Sequence, residues 1–174
     1  MAAAAFGGAA GGCGYRPLYG GRAPEQKLAV AAAPALIPEA DVVHAALAGA
    51  RDELVRSGLL RSGTGYPQLV VQVLRVDERA AGIAALEASD GTELPLARAS
   101  SVGVLGRAWV LEAAGAPPTR DTGDVRRVEQ YASAAGALGD AAGYDQATRA
   151  AGRALGRALA RYIVGEPVPG SEPL

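Results

Sequence analysis

The sequence predicts an α+β domain in which two helices pack on one face of a four-stranded, mostly antiparallel sheet. Two stretches carry a single apolar stripe at helical spacing, and the segments between them are extended and rich in apolar residues. The strands follow one another across short turns. The order is therefore β-α-β-β-β-α, with antiparallel pairing between consecutive strands. Two helices on one side of such a sheet form a standard two-layer solution. At 174 residues the chain fits one domain with tails: residues 27–165 form the domain, flanked by segments 1–12, 13–26 and 166–174.

Residues 14–26 read as a tether, because Pro17, Gly20, Gly21 and Pro24 interrupt any regular element. Lys27–Ala33 is a short strand, weakened by its alanines. A helix follows, with Pro38 suited to its first position and Glu39 and Asp41 near the positive end of the dipole. Its stripe is Val43, Leu47, Ala50 and Leu54, and Gly58 is the expected stop. Arg61–Pro67 is a loop leading into the strand Gln68–Arg79, which Ala80–Glu87 extends with a bend at Gly82. Ser89–Thr92 carries turn chemistry.

A long strand over Ala97–Ala113 places Val102, Val104 and Val110 on one face and Leu105, Trp109 and Leu111 on the other. After the 114–118 turn, Asp124–Tyr131 alternates Val125, Arg127, Glu129 and Tyr131 against Arg126, Val128 and Gln130. The last helix, Tyr144–Val164, buries Tyr144, Ala147, Ala151, Leu155, Leu159 and Tyr162. The 166–174 tail is punctuated by proline. Residues 69–76 and 102–111 look apolar on both faces, whereas a half-solvated antiparallel sheet alternates. Dilution by alanine and glycine is one explanation; a partner or lipid on the second face is the other.

Cys13, the single cysteine, lies in Ala9-Ala10-Gly11-Gly12-Cys13-Gly14-Tyr15-Arg16-Pro17-Leu18. It cannot form an intrachain disulfide, and a lone cysteine in an exported chain has a special role. Small residues followed by cysteine resemble the end of a bacterial lipoprotein signal, where the cysteine becomes the lipidated first residue of the mature protein. Residues 1–12 lack the basic and strongly apolar regions of a full signal, so the start is expected upstream of Met1. No run of 18 or more apolar residues is present to span a membrane, so attachment is expected through lipid or a partner.

Cys13-Gly14-Tyr15-Arg16-Pro17-Leu18, the element order and the C-terminal Arg/Ala/Leu helix together resemble the lipopolysaccharide-assembly lipoprotein family, LptE, over about residues 13–164. The resemblance implies a lipid anchor at Cys13, on the periplasmic face of the outer membrane. It also implies a plug role inside a large outer-membrane β-barrel that passes lipopolysaccharide outward, with the barrel and lipopolysaccharide as partners. Gly14, rather than Asp, after the cysteine fits release to the outer membrane. Other small lipoproteins remain alternatives: an accessory subunit of a lipid-transport ABC system, or an activator of cell-wall synthesis.

Catalysis is not expected. His44 is the single histidine and lies on the flank of the first helix, so neither an ordinary zinc site nor a Ser-His-Asp arrangement can be assembled. Asp140 and Asp145 flank a loop before the last helix. Gly11-Gly12-Cys13-Gly14 precedes no βαβ unit and forms no phosphate loop, and no cofactor is expected. A net charge of −1 gives no bulk attraction to nucleic acid. Arg149, Arg153, Arg157 and Arg161 recur every fourth residue, forming a basic ridge suited to the phosphates of lipopolysaccharide. Arg75, Arg79, Arg98 and Arg107 on strands are rival contacts, and a solvated face partly neutralised by Asp145 is the plainer reading of the ridge.

Overall fold

A computed structural model describes residues 26–34, 36–87, 93–132 and 137–165; side chains of 80–98 and 137 are outside that description. The elements are β1 (Ala29–Ala32), α1 (Ala40–Arg56), β2 (Gln68–Glu87), β3 (Glu93–Leu111), β4 (Arg120–Asp121), β5 (Val125–Ala132) and α2 (Ala137–Val164). The α+β class and helix placement follow the sequence. The sheet has five strands rather than four, because two-residue β4 is too short to leave a periodic signal. β4 and β5 share one edge of β3: Trp109 and Val110 pair with β4, and Ala99–Gly106 pair with β5. β1 runs parallel to β2, and the other pairings are antiparallel.

Alternation decides which strand residues enter the core. Val102, Val104, Ala108 and Val110 of β3 are buried with Leu69, Val71 and Val73 of β2 under the helices. The expected bend of β2 appears as register irregularity between Ala80 and Ile83, around Gly82, and a second irregularity lies between Val73 and Arg75. The Ser89–Thr92 turn lies outside the described residues.

α1 is rotated from the expected stripe. Val42, Ala46, Gly49 and Glu53 are buried along with Leu47, Ala50 and Leu54, whereas Val43 is only half-buried. A stripe built from large residues overlooks a face made of alanine and glycine, and that face meets α2. The two helices run in the same direction in backbone contact. A Cβ on Gly156 would stand 1.8 Å from Ala46 O, and one on Gly49 would stand 2.1 Å from Arg153 O. The helix stops at Gly58, whose φ of 71° and N–H donation to Val55 O form the C-terminal cap. Pro38 precedes the N-cap Glu39 rather than opening the helix.

α2 begins at Ala137, seven residues before the expected start. Asp140 therefore sits in its first turn and Asp145 inside it, not in a loop. A negative charge in a first turn complements the dipole. At the other end, Arg120 Nη1 donates to Ile163 O (3.1 Å), tying β4 to the α2 C-terminus.

Candidate functional site

Two surfaces of the described residues gather the groups singled out in the sequence: the seam between the helices and the sheet face opposite them. The seam gathers the arginines singled out by spacing. Arg149 Nη1 lies 3.8 Å from Asp41, Arg153 Nε 3.1 Å from Asp52, and Arg161 Nε 3.0 Å from Glu53. Carboxylates of α1, the neighbouring helix, thus supply partners that spacing along α2 did not show. Arg149, Arg153 and Arg157 line an open groove of about 700 Å³ with Asp41, exposed His44 and Glu129. Among the described residues Arg157 has no ion-pair partner. The row is thus a stitched seam with one uncommitted member, not a bare ridge.

Glu53 is the seam's buried anchor, its side chain 3% exposed. Burial pushes its carboxyl upward, but hydrogen bonds from Arg56 and Arg161 outweigh this and hold it below the ordinary carboxylate range. Nothing in the sequence marked this residue: at period 3.6 it reads as one more polar position on an amphipathic helix.

The sheet face away from the helices carries both apolar and ionic groups. Register places Val70 opposite Trp109 and Arg75 opposite Leu105. Val70 is buried, and Leu74, Leu105 and Trp109 are half-buried. Farther along, Asp77 of β2 and Arg126 of β5 join across Gly103 of β3, with Arg75 3.4 Å from Asp77. A Cβ on Gly103 would fall 2.5 Å from Asp77 Oδ1 and 2.1 Å from Arg126 Nη2, so glycine is what lets the pair close. Arg107 grips Asp121 with two nitrogens, Nε donating at 2.8 Å. That grip depresses the Asp121 carboxyl and raises the guanidinium.

The face expected to be apolar throughout is therefore an apolar patch around Trp109 bordered by ion pairs. Val128, on the same face, is 45% exposed. On the helix side of β5, Tyr131 donates its hydroxyl to Glu78, which pushes the phenol pKa up.

Of the remaining predicted sites, Cys13 lies outside the described residues, as does the Arg98 side chain; Arg79 is exposed on β2. Among the described residues no group of three or more His, Cys, Asp or Glu could hold a metal ion. No described helix is long and apolar enough to cross a membrane.

No protein-family model matches the chain, and no curated protein matches it. Solved structures do resemble it. The minor lipoprotein of Acinetobacter baumannii is 11% identical over 83% of this chain and 97% of that one, with a TM-score of 0.44. Rare lipoprotein B of Shewanella oneidensis is 7% identical over 79% and 93%, with a TM-score of 0.46. A candidate lipoprotein of Caulobacter crescentus CB15 is 14% identical over 79% and 92%, with a TM-score of 0.44. Likeness at this level assigns neither family nor activity.

Proposed function

We propose that the chain is a lipid-anchored domain on the periplasmic face of the outer membrane, acting as plug and partner of a large β-barrel that assembles lipopolysaccharide into the outer leaflet. The observation that carries this reading is a two-layer domain whose second sheet face has no described element over it, yet presents Trp109, Leu105 and Leu74 beside paired charges. A barrel lumen is the kind of surface that covers such a mixed face without leaving it in water. Cys13, in its run of small residues, supplies the anchor. Arg149, Arg153, Arg157 and Arg161 are the proposed contacts for lipid phosphates, with Arg157 the foremost because its guanidinium has no ion-pair partner among the described residues.

Two measurements test this reading. Metabolic acyl labelling is expected to mark the wild-type chain and not Cys13→Ser. Purification from solubilised outer membrane is expected to bring down a large, heat-modifiable barrel. An inner-membrane transporter or a peptidoglycan synthase in its place would move the chain to the other lipoprotein classes. An unlabelled chain recovered from the cytosol would end the anchored reading.

A further inference from the structure

The sheet register brings the point where the chain enters the fold and a basic surface to the same end of the molecule. Leu28 N–H donates to Leu59 O (2.8 Å), and Leu28 O accepts from Arg61 N–H (2.9 Å). The segment leading back to Cys13 therefore departs beside the α1 C-terminus and the 61–67 loop. The start of β2, the end of β3, β4 and the α2 C-terminus lie at the same end, because Ala29 pairs with Gln68, Gln68 with Leu111, and Arg120 with both Val110 and Ile163.

Lys27, Arg61 and Arg120 are exposed at this end, and Arg161 is 32% exposed. Among the described residues little offsets their charge. Arg61 and Arg120 donate to the main-chain carbonyls of Tyr66 and Ile163, which accept a hydrogen bond without neutralising a cation. Arg161 pairs with the Glu53 carboxylate, which also binds Arg56. Asp121 is already taken by Arg107, which leaves Glu112 as an exposed acid nearby. The two helix C-termini contribute about half a negative charge each, less than the cations supply. Tyr66 and Val55, 36% and 61% exposed, lie among these cations. The opposite end gathers acids around the helix N-termini, Glu39, Asp41, Asp140 and Asp145, with Arg149 beside Asp41. The described residues thus place basic groups at one end and acids at the other.

We infer that the basic end is a docking surface for anionic lipid headgroups. Before it enters a barrel, the domain then stands with its helix C-termini and the 61–67 loop on the membrane and the β2–β3 ribbon pointing away. This rests on the anchored reading and extends it. A lipid chain at Cys13 supplies one membrane signal, and a basic patch at the chain's entry point supplies a second, the combination that makes anchoring stable. The attraction fades within about 10 Å at ordinary ionic strength, so only this end can feel the surface.

The full chain carrying Cys13→Ser, sedimented with vesicles, tests the surface without the lipid. The expected result is partition onto vesicles containing phosphatidylglycerol but not onto pure phosphatidylcholine, with partition reversed by salt. Each basic residue near an anionic surface contributes roughly fivefold, so Lys27→Glu with Arg61→Glu is expected to weaken partition by at least about tenfold. Glu39→Lys, at the opposite end, is expected to leave it nearly unchanged. If the charge reversals unfold the chain by circular dichroism, Lys27→Gln with Arg61→Gln carries the same test with a smaller loss. Equal partition onto neutral lipid, an unaffected Lys27/Arg61 variant, or no partition at all would overturn the docking surface. Failed acyl labelling of the wild type would instead remove the anchored reading and leave the vesicle result standing.

Discussion

Gly156→Ala separates the packing account of the helix pair from helix propensity, because the two predict opposite signs. In a helix interior glycine is worse than alanine by about 1 kcal/mol, so propensity alone predicts stabilisation. The new methyl carbon would stand 1.8 Å from Ala46 O, 2.7 Å from its carbonyl carbon and 2.9 Å from Ala50 N. Backbone cannot rotate aside as a side chain can, so the helices must move apart. That movement loosens the buried Leu155, Leu159 and Leu54 beneath them. Overpacking of this kind costs about 1–3 kcal/mol and more when backbone is displaced. The expected net change is a loss of about 2 kcal/mol, or roughly 4–8 °C in Tm for a domain of this size. Urea unfolding followed by circular dichroism measures it. Gly58→Ala is the comparison: nothing lies within 4 Å of its Cβ, so its cost comes from a φ of 71° and not from contact. A Gly156→Ala protein as stable as wild type, or more stable, would refute direct helix contact.

Other expectations follow from the paired charges and the anchor. Glu53 is held below its ordinary value, so the stability it contributes is present above the ordinary carboxylate range and lost as pH falls through and below it. Glu53→Gln is expected to flatten that part of the profile and, by leaving Arg161 without its carboxylate, to cost about 2–4 kcal/mol at neutral pH; pH-dependent urea midpoints check both. Gly103→Val is expected to break the Asp77–Arg126 pair and lose about 1–3 kcal/mol, while Asp77→Asn leaves most of that loss absent because the pair is partly solvated. Arg157→Glu is expected to weaken binding of a phosphorylated lipid A fragment more than Arg153→Glu does, measured by calorimetry, since Asp52 already occupies Arg153.

The parts of the fold legible in the sequence were those written in large side chains. Val102, Val104 and Val110 fixed the buried face of β3, Leu155 and Leu159 the buried face of α2, and Gly58 the end of α1. What stayed hidden was written in small ones. The helix contact uses Gly49, Gly152 and Gly156, which carry no periodic hydrophobic signal although Gly152 would touch Val42 and Ala45. The ion partners of the arginines were hidden for a different reason: Arg161 and Glu53 are 108 residues apart, and spacing along one helix cannot reveal a carboxylate on another. Counting charges on α2 alone therefore overstated a free ridge. The mixed second face was half legible, its apolar members visible by alternation and its Asp77–Arg126 pair not.

The claim that matters most is that the sheet face opposite the helices is covered by a partner in the outer membrane. A photoreactive residue at Val128, exposed on that face, tests it in living cells against the same residue at Arg51 on the outer side of α1. The account predicts an adduct between the Val128 probe and a large β-barrel, with its yield lowered by Cys13→Ser. Labelling by water alone at Val128, or adducts of equal yield from Arg51, would contradict it.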